Sequence, residues 1–227
     1  MLLKRFESLE DAATSLAAQV SAALAEAVSV RGAASLLVPG GRTPAAMFRE
    51  LRRHPIAWDR VSISLTDERW VPPHHADSNA RLVTTEMLAA FAAAAKFIPL
   101  HNVAPTSAQG ALAAWRALAA MPRPFDAVVL GMGDDGHFAS LFPGSPGLEA
   151  ALDPHAAPAC VPMRAPSAPV DRLSLNLAAL AASRRLFLFI TGERKLELIQ
   201  SVGSRAWLPI DDLLSLREPG PAIFWAP

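Results

Sequence analysis

Phe125-Asp126-Ala127-Val128-Val129-Leu130-Gly131-Met132-Gly133-Asp134-Asp135-Gly136-His137 is a nearly unbroken apolar run that ends abruptly at a glycine-rich, acidic turn. An apolar run of this length bounded by glycine reads as a strand covered on both faces, because a strand with one wet face would alternate apolar and polar residues. The same pattern recurs on either side. Residues 35–38, 61–65, 172–177, 186–190 and 222–225 are further apolar strand candidates. Helical patterns lie between them. Residues 8–31 keep an apolar stripe at Leu16, Val20, Leu24 and Val28, opened by a Ser8/Asp11 capping pattern and stopped by Gly32. Thr43 and Pro44 are expected to cap and open a second helix with Met47, Phe48 and Leu51 on one side. A third is capped by Asp77 or Ser78, and 108–120 and 193–202 are two more. Strands alternating with helices predict an α/β chain: three layers, a mostly parallel, Rossmann-like sheet with helices on both faces. The Pro- and Ala-rich stretch 152–170 is expected to be a surface connection, and residues 1–227 a single domain.

Composition narrows the function. Lys and Arg number 21, as do Asp and Glu, and there is no basic run, so the electrostatic footprint of a nucleic-acid binder is missing. The single cysteine, Cys160, excludes an internal disulfide and a four-cysteine metal site and points to a reducing compartment, hence the cytoplasm. Lys4 and Arg5 interrupt any signal-peptide core, and no run of about 20 uninterrupted apolar residues occurs. No membrane association is expected.

In open parallel sheets ligands bind beyond the carboxyl ends of the strands, where three loops carry chemistry-bearing residues. Pro39-Gly40-Gly41-Arg42-Thr43-Pro44 is a strand-to-helix turn whose glycines let backbone approach a ligand, whose N–H groups and helix dipole favour an anion, and whose Arg42 adds charge. It lacks the Gly-Lys-Ser/Thr ending of a P-loop. Thr66-Asp67-Glu68-Arg69-Trp70 places three consecutive charges at a strand end, where they seldom serve packing, and Trp70 is expected to line the pocket. Gly131, Gly133 and Gly136 match a dinucleotide fingerprint in form only, since Asp134 and Asp135 would stand where a pyrophosphate must sit. The loop instead offers His137 beside a carboxylate, a pair suited to taking a proton near neutral pH. His74, His75 and Asp77 read as a solvated turn, with no metal expected.

Taken together, GGRTP from Gly40, DERWVP from Asp67 with Asp77-Ser78-Asn79 downstream, FDAVVLGMGDDGHFASLFPG from Phe125, Arg172-Leu173-Ser174-Leu175 and Gly192-Glu193-Arg194-Lys195 resemble the 6-phosphogluconolactonases, of the superfamily that also holds glucosamine-6-phosphate deaminases. The resemblance implies the deaminase-type fold and hydrolysis of a small phosphorylated sugar lactone, with no cofactor; whether the chain is a monomer or a small homo-oligomer is left open by the sequence. It implies that the phosphate binds at Gly40, Gly41, Arg42 and Thr43, that His137 activates water, and that Arg69 or loop N–H groups hold the oxyanion. Arg172 and Lys195 reach substrate by the same resemblance, and Asp67, Asp135 and Gly136 join the binding set. Pro39 departs from the Ser-Gly-Gly of many members and removes a hydroxyl and an N–H donor. The deaminase alternative would need the glutamate of an FNEP motif, where Ser140-Leu141-Phe142-Pro143 stands here. A non-catalytic sugar-phosphate sensor would not need His137.

Overall fold

The structure is a computed structural model and describes residues 2–166, 170–216 and 220–227. In chain order the elements are β1 (Leu2–Arg5), α1 (Leu9–Arg31), β2 (Ala34–Val38), α2 (Arg42–Leu51), β3 (Val61–Leu65), β4 (Asp67–Arg69), α3 (Asn79–Glu86), β5 (Lys96–Phe97), α4 (Ser107–Ala117), β6 (Phe125–Leu130), α5 (Leu148–Leu152), β7 (Cys160–Arg164), β8 (Asp171–Leu175), α6 (Leu177–Ala181), β9 (Ser183–Thr191), α7 (Glu193–Gln200), α8 (Pro209–Ser215) and β10 (Ala222–Ala226). One sheet holds seven strands in the order β1-β10-β9-β6-β2-β3-β5, with every neighbouring pair parallel. β2 and β6 are buried at every residue, as strands covered on both faces must be. The polar exception inside β6, Asp126, accepts from the Ser35 N–H at 2.9 Å and pairs with Arg31, which makes its burial tolerable.

α1 forms as its termini dictate. Ser8 Oγ accepts the Asp11 N–H at 3.1 Å, and Gly32 (φ 76°) ends the helix by donating to Val28 O at 2.8 Å. Leu16, Val20 and Leu24 are fully buried against α2 and the β2, β6 and β10 strands, each contributing about 1.5–3 kcal/mol by leaving water. With a mean hydropathy of 1.3, α1 is by length and composition apolar enough to cross a membrane, which a search for uninterrupted apolar runs does not register. In this fold its apolar face is covered by the sheet.

Three expectations are corrected. The strand expected at 172–177 runs from Asp171 to Leu175 and leaves the parallel sheet, pairing antiparallel with β4 and β7 in a separate three-stranded sheet. The DER motif, expected as loop, is β4 of that sheet. The connection at 152–170 contains β7, where Cys160 and Met163 are buried while Pro162 and Arg164 face out; such half-exposed patterning is hard to see among prolines. Residues 167–169 of that connection lie outside the described residues. A smaller correction concerns α2, which starts at Arg42 with Gly41 (φ 103°) as its cap, so Thr43 and Pro44 lie inside the first turn. Thr43 Oγ1 is instead 3.3 Å from Thr191 Oγ1, joining the start of α2 to the end of β9.

From β2 the chain crosses through α2 to β3 on one side, then returns to place β6 on the other. The crevice at such a reversal is where open α/β sheets hold ligands. The loops after β2, β3, β6 and β9 all open there.

Candidate active site

A cavity of about 280 Å³ occupies this crevice, and its walls include Gly40, Gly41, Arg42, Thr43, Asp67, Arg69, His137, Arg172 and Lys195. These are the residues singled out from the sequence, brought together from the ends of β2, β3, β6 and β9 and from β8. Asp135 and Gly136 are not in the lining, and they act on His137 from behind. The walls carry four cations, Arg42, Arg69, Arg172 and Lys195, against the one carboxylate of Asp67. That excess suits a small anion.

His137 is fixed by its own loop. Asp135 Oδ1 lies 2.5 Å from His137 Nδ1 and 3.2 Å from its backbone N–H. The hydrogen bond from His137 holds the Asp135 carboxyl below its ordinary range despite partial burial, so it is ionised and accepts. The carboxylate thus holds a hydrogen on Nδ1, and in the neutral form of the ring the lone pair is on Nε2. A side chain at Gly133 would collide with the imidazole, since a Cβ there would be 2.3 Å from His137 Nδ1. The Phe142 ring covers the imidazole with centroids 4.0 Å apart.

Arg69 and Arg172 face each other across the antiparallel β4–β8 pair. Opposed like charges are destabilising unless something offsets them. Arg69 donates to Asp77 O at 2.6 Å, and the Arg172 guanidinium lies over the Phe142 ring at 5.0 Å. Burial, and then the neighbouring Arg69, lower the pKa of Arg172. The Nε–H groups of both arginines are buried without a hydrogen-bond partner among the described residues. Lys195 sits in the first turn of α7, with Nζ 3.9 Å from Asp134 Oδ1 on the exposed side.

The remaining charges of the DER motif do serve packing. Glu68 is fully buried and accepts from the N–H groups of Arg69, Asn79 and Ala80 at 2.7–2.8 Å, so it caps the start of α3. Burial raises its pKa even against those bonds. Asp67, also buried, accepts from Ser140 Oγ at 2.6 Å. Trp70, expected in the pocket, turns the other way: its indole N–H donates to Ala104 O at 3.2 Å and its ring fills the space above Gly110 of α4. Asn79, Met132, Ala139 and Phe189 line the cavity without having been singled out. Asn79 stands in the DSN triplet and Met132 and Ala139 in the stretch from Phe125 to Gly144, whereas Phe189 belongs to no motif.

Cys160 is buried, and burial pushes its thiol up to about 12. At pH 8 the thiol stays protonated in the folded chain. Iodoacetamide is expected to modify it at least about tenfold more slowly in native protein than in guanidinium-unfolded protein. Mass spectrometry of timed samples checks this, and equal rates would contradict the burial.

A parallel sheet with a histidine–carboxylate pair and a cationic cavity at its switch point is the build of an α/β enzyme for a small anionic substrate. The family described as glucosamine-6-phosphate isomerases/6-phosphogluconolactonase matches residues 7–214, and the chain belongs to it. Among its relatives, the 6-phosphogluconolactonase of Pseudomonas aeruginosa is 46% identical over 199 residues, covering 88% of this chain and 84% of the relative. That of Rhizobium meliloti is 42% identical and covers 98% of this chain and 97% of the relative. A crystal structure of a 6-phosphogluconolactonase from Shewanella baltica superposes with a TM-score of 0.94 at 39% identity, covering 100% of this chain and 98% of that one.

Proposed function

We propose that this protein hydrolyses 6-phospho-D-glucono-1,5-lactone to 6-phosphogluconate, the lactone-opening step of the oxidative pentose phosphate pathway in the cytoplasm. The observation that carries the reading is His137, with Nδ1 bound to ionised Asp135, standing in the wall of a cavity with four cations. The substrate phosphate lies at Gly40, Gly41, Arg42 and Thr43, against the N-terminus of α2, with Lys195 at the adjoining start of α7. His137 takes a proton through Nε2 from a water that attacks the C1 carbonyl. The oxyanion that forms accepts from the guanidinium groups of Arg69 and Arg172, both of which line the cavity. Collapse breaks the bond from C1 to the ring oxygen, and the imidazolium returns its proton to that oxygen.

The amino-sugar branch requires a second acid–base group beside the histidine to open the ring and shuttle a proton. At the corresponding stretch Ser140 is committed to Asp67 and Phe142 is an aromatic cover, and Asp67 is the one carboxylate in the cavity wall. This supports hydrolysis over isomerisation.

The test generates the lactone in situ and follows acid release above spontaneous hydrolysis. Acceleration by catalytic amounts of protein is expected, and its absence refutes the reading. Arg42, exposed and without a protein partner among the described residues, binds ground state and transition state alike through the phosphate. Arg42→Ala is therefore expected to raise KM about tenfold, equivalent to about 1.4 kcal/mol, and to leave kcat nearly unchanged. A loss confined to kcat would contradict that role.

A further inference from the structure

The segment joining α7 to α8 grips the histidine loop through contacts that the reaction itself does not use. A Cβ built on Gly136 would lie 2.8 Å from Leu208 Cδ1 and 2.9 Å from Leu208 Cβ, so the leucine rests directly on the glycine backbone. The Ile210 N–H donates to Gly136 O at 3.0 Å. Gly136, with φ 76°, immediately precedes His137 and closes the loop by donating to Gly133 O at 3.1 Å, while the Gly133 N–H returns to His137 O at 2.9 Å. The loop is thus self-bonded within and held from outside by Leu208 and Ile210.

Leu208 is itself fixed by a fork. Asp211 Oδ2 accepts the Leu208 N–H at 3.0 Å, and the Asp211 N–H donates to Leu208 O at 2.9 Å. Arg205 takes both Asp211 oxygens, Nη2 to Oδ1 at 2.6 Å and Nη1 to Oδ2 at 2.9 Å. Its Nε and Nη2 also donate to Leu198 O in α7, at 3.1 and 3.0 Å, and Nη1 to Ala206 O at 2.8 Å. Surface ion pairs hold little, but this one is bidentate, with side chains only 16% and 15% exposed, and it shares its donors with backbone carbonyls. It connects α7, which carries Lys195, to the turn that presses on Gly136.

We propose that Arg205 is a positioning residue for the reaction, acting through Asp211 and Leu208 to hold the loop that aims His137 at the lactone carbonyl. The proposal rests on the lactonase reading above. A displacement of about 1 Å at the reacting groups can cost as much as about 100-fold in rate, so a modest relaxation of this loop is enough to be measured.

The experiment compares wild type, Arg205→Met, Arg205→Lys and Leu208→Ala in the lactone assay, each well below its melting temperature. Arg205→Met and Leu208→Ala are each expected to lower kcat about tenfold with KM within about threefold, because neither touches the phosphate turn at 40–43, and Arg205 meets α7 at Leu198 near its C-terminal end and not in the first turn that carries Lys195. Arg205→Lys, which keeps the charge but not the fork, falls between. The ¹⁵N and ¹H signals of the His137 imidazole are expected to move in Leu208→Ala. Folded Arg205→Met and Leu208→Ala proteins with wild-type kcat and an unmoved imidazole would overturn the proposal. If Arg205→Met fails to fold, Leu208→Ala decides, since it leaves the ion pair whole. A wild-type protein without lactonase activity would sink the functional reading instead, and the imidazole signal would still report whether Leu208 positions the ring.

Discussion

Replacing His137 with alanine is expected to lower kcat for lactone hydrolysis by about 10²–10⁴-fold, the range that a positioned general base supplies. The expectation follows from the arrangement of the ring. Asp135 occupies Nδ1 at 2.5 Å, so Nε2 is the single nitrogen able to accept a proton from water. Among the described residues no second free base stands in the cavity wall: the cations cannot accept, and Asp67 is buried and engaged by Ser140. KM should change little, since the phosphate contacts lie at 40–43 and Lys195 and the imidazole acts on the reacting carbon. Asp135→Asn should cost less than His137→Ala, because the imidazole remains in place with its tautomer no longer fixed. The comparison is made on initial rates corrected for spontaneous opening, with circular dichroism confirming that each variant is folded. A His137→Ala protein with wild-type kcat would remove the histidine from the mechanism while leaving the activity to be explained.

How far the site could be read from the sequence depends on the distance over which each contact is made. The histidine–carboxylate pair is local: Asp135 and His137 are two residues apart on a glycine-shaped turn, so the chemistry is visible in the string itself. The central strands were equally legible, because β2, β3 and β6 lie in a covered sheet and their side chains need not alternate. Edge strands were not. β1 and β5 are short and carry charges, and β4 and β7 are the outer strands of a small antiparallel sheet in which charges and a proline dilute the pattern; β8 between them was legible as a strand but not as part of a separate sheet. That sheet is what sets Arg69 opposite Arg172, a juxtaposition made by pairing between distant segments and carried by no local motif. The role of Glu68 was hidden for the same reason, since apart from the adjacent Arg69 N–H its partners lie ten to twelve residues later, at Ser78, Asn79 and Ala80. The zero net charge of the chain likewise conceals a local excess. The arginines and the lysine of the cavity are balanced by carboxylates elsewhere, such as Glu149, Asp153 and Asp212, which line a cleft that holds no cation among the described residues.

Gly40→Ala is expected to lower kcat/KM by about 100-fold and to destabilise the protein as well. Gly40 does not need a left-handed backbone; what it needs is space. A Cβ there would lie 1.9 Å from Asn79 Oδ1 and 2.3 Å from its Cγ, far inside van der Waals contact. Asn79 is 3% exposed and cannot swing away without loss. Its side-chain amide donates to Asp67 O at 2.9 Å, and its backbone N–H donates to Glu68 at 2.7 Å. One outcome is that Asn79 gives way, leaving a buried polar group unsatisfied at about 1–3 kcal/mol and loosening the backbone of Asp67. The other is that residue 40 moves and carries with it the turn at 41–43 on which the substrate phosphate is proposed to sit. Either route disturbs the cavity, and at about 2–4 °C per kcal/mol the melting temperature should fall by several degrees. Asn79→Ala in the Gly40→Ala background separates the two. If the overlap with the amide is the cause, the double variant loses less activity than the sum of the single losses, because the second substitution vacates the space that the first requires. Strict additivity, or a Gly40→Ala protein with wild-type kinetics and melting temperature, would show that the turn tolerates a side chain here and that the close approach of β2 to α3 does not shape the phosphate site.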